Sequence, residues 1–190
     1  GTTVILGSNG NEAYTDESIN ASIFSNQGSA RVYKYDYTDR GSNLFLEIPE
    51  IGIPWKGGWK QLGPTLYPPP YANLYFGRYV AINSTGTRVA VAMPGAYPST
   101  FYDFTNGSPI INRGCIIVYD YDPTIQNWVQ VGNIIADTSS EASYNNVGNK
   151  HFGTNLRMSK DGNRVIASLP SRNYSGQQNN GCVTAYELIN

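Results

Sequence analysis

One histidine, two cysteines and 14 acidic residues are what this 190-residue chain offers to reaction chemistry. His151 directly precedes Phe152 at the start of an apolar stretch. A side-chain nucleophile needs a general base within reach and a third group to orient that base. No motif pairs His151 with such partners, so it reads as a loop position, no catalytic residue is assigned, and the chain reads as non-enzymatic. Cys115 and Cys182 stand at the same phase of two similar stretches, GCIIVYDY and GCVTAYEL, with Ser29 at that phase in GSARVYKY. A disulfide needs Cα atoms within about 7 Å, whereas equivalent positions of stacked sheets lie about 10 Å apart. The spacing predicts two buried free thiols. With no further cysteine or histidine beside them, neither a metal site nor a cofactor is implied.

Two sets of residues point to binding. Tyr67, Tyr71 and Tyr75 in LYPPPYANLYFG flank a proline run that keeps the segment out of a central strand. They suit an aromatic platform for a sugar or a partner, with rigid loop packing as the alternative. Glycosylation sequons begin at Asn20, Asn83, Asn106 and Asn173. Chance supplies about three in such an Asn- and Ser/Thr-rich chain, so placement matters more than number. Formal net charge is −1 and only 14% of residues are charged, which leaves no basic footprint for nucleic acid. No apolar run approaches the ~18 residues of a membrane span, so no membrane insertion is expected.

The elements that must position these residues recur in a fixed order. WKQLG from Trp59 is matched by WVQVG from Trp128, and FGRYVAIN from Phe76 by FGTNLRMS from Phe152. A polar turn then leads into TTVILGS, TRVAVAM and NRVIASL, and the three GSARVYKY-type stretches follow. Each signal is short, rich in Val, Ile, Tyr and Thr, and bracketed by Gly, Pro, Asn, Asp or Ser, which predicts strands. NSTG and SKDG suit tight hairpin turns. No stretch carries the 3.6-residue periodicity of an amphipathic helix. The tyrosines Tyr33, Tyr119 and Tyr186 share one phase and are expected to pack between sheets. Asn20, Asn106 and Asn173 all fall between the third and fourth signals, so one rim of the assembly would carry any glycans.

Counting strands divides the chain into residues 1–58, a half blade of two strands plus a long connecting insertion, and complete blades at 59–127 and 128–190. The fold class expected is all-β: consecutive four-stranded antiparallel blades, a partial β-propeller. The order W-x-Q-x-G, F-G, S-x-D-G-x-R-V-A, G-x-V-x-V-Y resembles the integrin-alpha-like, FG-GAP-related propeller repeats, over almost the whole chain as about two and a half repeats. Members of that kind often carry D-x-D-x-D-G calcium loops; here Asp36 and Asp39 in YDYTD, and Asp120 and Asp122 in YDYDP, depart from that pattern and lack its dense run of oxygen ligands. Because propellers close with about four to eight blades, the expectation is one segment of a larger propeller. Its partners are then the remaining blades of the same polypeptide or neighbouring subunits, and glycans if the tyrosine platform is used. The resemblance implies a structural or adhesive glycoprotein role at an extracellular, cell or virion surface. A lectin-like carbohydrate-binding module and a fibre subunit completed by a neighbour's strands are the alternatives.

Overall fold

The computed structural model describes residues 2–9, 28–37, 58–68, 75–94, 114–136, 151–170 and 180–188. These residues form antiparallel sheets and contain no helix. The first sheet has the order β1 (Thr3–Ser8), β2 (Ser29–Asp36), β3 (Gly58–Gln61). The central sheet runs β4 (Tyr79–Ile82), β5 (Arg88–Met93), β6 (Cys115–Asp122), β7 (Asn127–Gln130), with the short β8 (Ile135–Ala136) also on β6. The last sheet runs β11 (Cys182–Glu187), β10 (Arg164–Leu169), β9 (Leu156–Met158).

Two details depart from the sequence expectation. Divisions at Trp59 and Trp128 do not fall between sheets, because each tryptophan strand pairs backward: Trp59 opposes Tyr35, and Trp128 opposes Tyr121. For Trp128 the cause is local. Asp122 Oδ1 accepts the Thr124 N–H at 2.8 Å, and with Gln126 at φ 52° the four residues after β6 close a hairpin. Strand number also differs: the described residues give sheets of three, five and three strands rather than a uniform four. Eight-residue β6 is longer than four-residue β7, so the chain bends at Gly132 (φ 65°) and returns as β8 to pair with the start of β6. The first sheet repeats this bend at Gly63 (φ 71°), after which Leu66 bridges Ala30.

Both hairpin turns are held alike. Asn83 and Ser159 each accept the N–H of the turn glycine three residues on, at 3.2 and 3.0 Å. Their side-chain oxygens accept backbone N–H groups entering the next strand, Arg88 at 3.1 Å and Arg164 at 3.0 Å. Gly86 and Gly162 have φ of 75° and 81°, conformations that side chains with a Cβ disfavour.

Alternation along β5 then divides the core. Val89, Val91 and Met93 join Ala30, Val32, Cys115 and Ile117 between the first and central sheets. Ala90 and Ala92 join Ile116, Val118, Leu156, Val165 and Leu169 between the central and last sheets. Among the described residues, the central sheet is thus covered on both faces and the outer sheets on one each.

Candidate functional site

A group of polar side chains converges at the rim where the hairpin turns of the central and last sheets meet. Arg88, the first residue of β5, lies across from Asp120 on β6 and makes a two-pronged ion pair, Nε to Oδ1 at 2.6 Å and Nη2 to Oδ2 at 2.7 Å. Its Nη1 extends to the next sheet, 3.3 Å from both the Gly162 carbonyl and Asn163 Oδ1. Ser84 adds a second link, its backbone N–H and its hydroxyl both donating to the Lys160 carbonyl at 2.9 and 2.7 Å. A polar pocket of about 280 Å³ lies here, lined by Asn83, Thr87, Arg88, Asp120, Asp161 and Asn163 among others.

The hydrogen bonds that Arg88 donates to Asp120 raise its pKa further, against the opposing effect of burial. The Ser159 hydroxyl, then the Asn163 N–H, hold the Asp161 carboxyl below its ordinary range. Charges are therefore fixed in opposed, hydrogen-bonded positions, as in a clamp between turns. The arrangement positions backbone at the two turns.

The residues singled out from sequence scatter over the fold. His151 is half-buried with φ 45°, its Nδ1 3.2 Å from the Pro94 carbonyl, and its own carbonyl receives the Thr154 N–H and hydroxyl. Tyr75 has φ 49° at the same place before the other Phe-Gly pair, and Arg78 N–H donates to its carbonyl at 3.1 Å. Both residues are corners of one repeated turn. The Arg78 guanidinium lies 5.7 Å from the centre of the Tyr75 ring. Tyr67 is half-buried, and Tyr71 lies outside the described residues.

Cys115 and Cys182 are not bonded to each other, and only Cys115 is fully buried; Cys182, half-buried, corrects the expectation of two buried thiols. Burial pushes the Cys115 thiol up to about 12 and raises the Tyr119 hydroxyl as well. Tyr186 packs edge-on against Phe152 with ring centres 5.9 Å apart, and Tyr33 is half-buried on β2. Asp120 is engaged by Arg88, Asp122 by its turn and Asp36 by Lys60 at 3.1 Å, while Asp39 lies outside the described residues. No group of three or more metal-ligating side chains occurs among the described residues. Asn20, Asn106 and Asn173 lie outside them; Asn83 is in the turn, its amide oxygen taken by Thr87 and Arg88.

Sequence reasoning missed Arg88 and its pairing with Asp120, although the signal was present. Arg88 and Arg164 each stand two residues after a turn glycine, and Asp120 and Glu187 share a phase in the fourth stretch. Thr3 and Lys34 fill those places in the first sheet, so the pairing is not uniform.

The contacts that do repeat join sheet to sheet. The carbonyl of Phe76 sits where a Cβ on Gly28 would be, and that of Phe152 stands over Gly114 in the same way. Gly28 and Gly114, with φ of 78° and 72°, open corresponding strands of the first and central sheets. The Trp128 indole rests on the bend of the first sheet, Nε1 donating 2.8 Å to the Leu62 carbonyl, with the ring 2.9 Å from where a Gly63 Cβ would stand. Gln61 and Gln130 brace their bends identically, each Nε2 donating 3.1 Å to the carbonyl of Gly63 or Gly132. No protein-family model matches the chain, and no curated protein matches it.

Proposed function

We propose that the chain is a structural or adhesive segment of a propeller-type array, acting at an extracellular or particle surface by presenting its long connections rather than by turning over a substrate. The observation that carries the reading is the recurrence of one sheet-to-sheet contact, a Phe-Gly turn over a glycine, at both interfaces. Units held through backbone at glycines stay rigid while the connections between them vary in length. The described polar rim adds a clamp of the same kind, with Arg88 bound to both its own sheet and the next.

Further repeats suit the two outer faces. Leu6 is 59% exposed where its equivalent Val91 is fully buried, and Val183 is 68% exposed where its equivalent Ile116 is fully buried. Apolar residues at core positions of a repeat favour another repeat as their cover.

Glycopeptide mass spectrometry and surface labelling of the native source test this reading. Glycans at Asn20, Asn106 and Asn173, or label on intact cells or particles, are expected. Unmodified peptides through all three sites together with label confined to the cytosol would remove the surface role. Saturable binding on a glycan array that Tyr75→Ala abolishes would replace the scaffold by the lectin-like alternative.

A further inference from the structure

In the two sheets that include a tryptophan strand, that strand is held in the same way. Leu62 N–H donates 2.8 Å to the Val32 carbonyl on β2, and Val131 N–H donates 2.9 Å to the Val118 carbonyl on β6. In register, Gln61 opposes Tyr33 and Trp59 opposes Tyr35; Gln130 opposes Tyr119 and Trp128 opposes Tyr121. The last sheet ends on β11, and no tryptophan strand pairs with it among the described residues. Yet β11 has the same shape. Leu188 N–H donates to the Asn163 carbonyl at 2.8 Å, as Tyr121 N–H donates to Thr87 and Tyr35 N–H to Thr2. Ala185, exposed, is the equivalent of Val32 and Val118.

A second, separate feature points to the same kind of strand. Trp128 of the central sheet covers Leu62 and Gly63 of the first sheet. The corresponding place on the central sheet is Val131 and Gly132. Gly132 keeps the left-handed bend and its Gln130 brace, but nothing stands within 4 Å of where its Cβ would be. The bend is thus built and its cover is absent among the described residues.

We infer that the edge of β11 and the Val131–Gly132 bend together form an acceptor for one extended strand bearing tryptophan with glutamine two residues later. The strand runs antiparallel to β11, bonds to the backbone of Ala185, and sets its tryptophan opposite Leu188. The indole lies over Gly132 and donates its N–H to the Val131 carbonyl. Main-chain bonds supply the general affinity of strand addition, and the indole seat supplies selectivity. The inference rests on the repeat reading and not on the surface location.

The test uses a fluorescein-labelled peptide with the sequence QNWVQVGN, followed by anisotropy against the full 190-residue chain. Saturable binding is expected, weakened at least about tenfold when alanine replaces the peptide's tryptophan, the kind of buried anchor that dominates such contacts. Amide shifts on binding should centre on Ala185, Glu187 and Gly132. Ala185→Pro, which removes a donor that faces the open edge, should abolish binding while leaving the circular dichroism spectrum unchanged. No saturable binding at millimolar peptide, binding indifferent to the tryptophan, or shifts confined to β1 would each overturn the acceptor. The repeat reading would survive these failures; it falls only if an experimental structure shows β7 unpaired with β6.

Discussion

Trp128 and Leu62 join two sheets through a single hydrogen bond of 2.8 Å, from indole Nε1 to backbone carbonyl. Trp59 has the same partner within its own sheet, a tyrosine ring 5.3 Å away against 5.2 Å for Trp128, yet is 42% exposed where Trp128 is 6% exposed. Trp128→Ala is therefore expected to lower the unfolding free energy by about 3 kcal/mol or more, and Trp59→Ala by no more than about half of that. Urea denaturation of the two variants checks the order, and equal losses would remove the special standing of the Leu62 contact.

Gly63 and Gly132 separate backbone strain from crowding. Both have positive φ, so alanine at either carries a penalty of about 1–2 kcal/mol. Only at Gly63 would the added methyl meet an indole, at 2.9 Å. Gly63→Ala should be the more destabilising of the two, by about 1 kcal/mol or more, in paired thermal or urea melts.

The two arginine pairs should behave differently. Arg88 holds Asp120 at 2.6 Å with an 11% exposed side chain, whereas Arg164 and Glu187 meet at 3.4 Å with both side chains more than half exposed. Because Asp120 is 40% exposed, solvent screening reduces what the first pair contributes. Arg88→Met is expected to cost about 2 kcal/mol and Arg164→Met at most about 0.5 kcal/mol. Raising the salt concentration should erase the smaller effect first.

The thiols supply a pH test. Burial lifts the Cys115 thiol from 9.0 to about 12 in the folded chain. A folded pKa above the unfolded one gives stability that is complete below pH about 9 and declines as pH rises toward the folded value, by up to about 1.4 kcal/mol per pH unit. Tyr119, also raised by burial, adds to the decline in the same direction. Urea midpoints should fall across this range and fall less in Cys115→Val. Near neutral pH, Ellman's reagent should modify Cys182 first and reach Cys115 only on unfolding.

Strand positions and turns were legible because they are local. TRVAVAM and NRVIASL alternate, NSTG and SKDG close tightly, and Trp59 and Trp128 do hold equivalent places. Which sheet a strand joins was not legible in the same way. A tryptophan strand read as the opening of a repeat is, in space, the closing edge of the preceding sheet, a choice made by the hairpin after Asp122 rather than by hydrophobic pattern. The clamp of Arg88 on Gly162 and Asn163 spans more than 70 residues, so no window of periodicity could reveal it. Reading the charges by phase would have found half of it, the pair with Asp120.

The tryptophan contact has a direction: Trp128 of the central sheet covers the bend of the sheet before it. Lengthening such an array by duplicating a whole unit would create a new junction of the same type and leave the existing ones intact. Reversing a unit would oppose indole to indole and bend to bend. Growth by tandem copying is therefore mechanically neutral for this architecture, and inversion is forbidden to it.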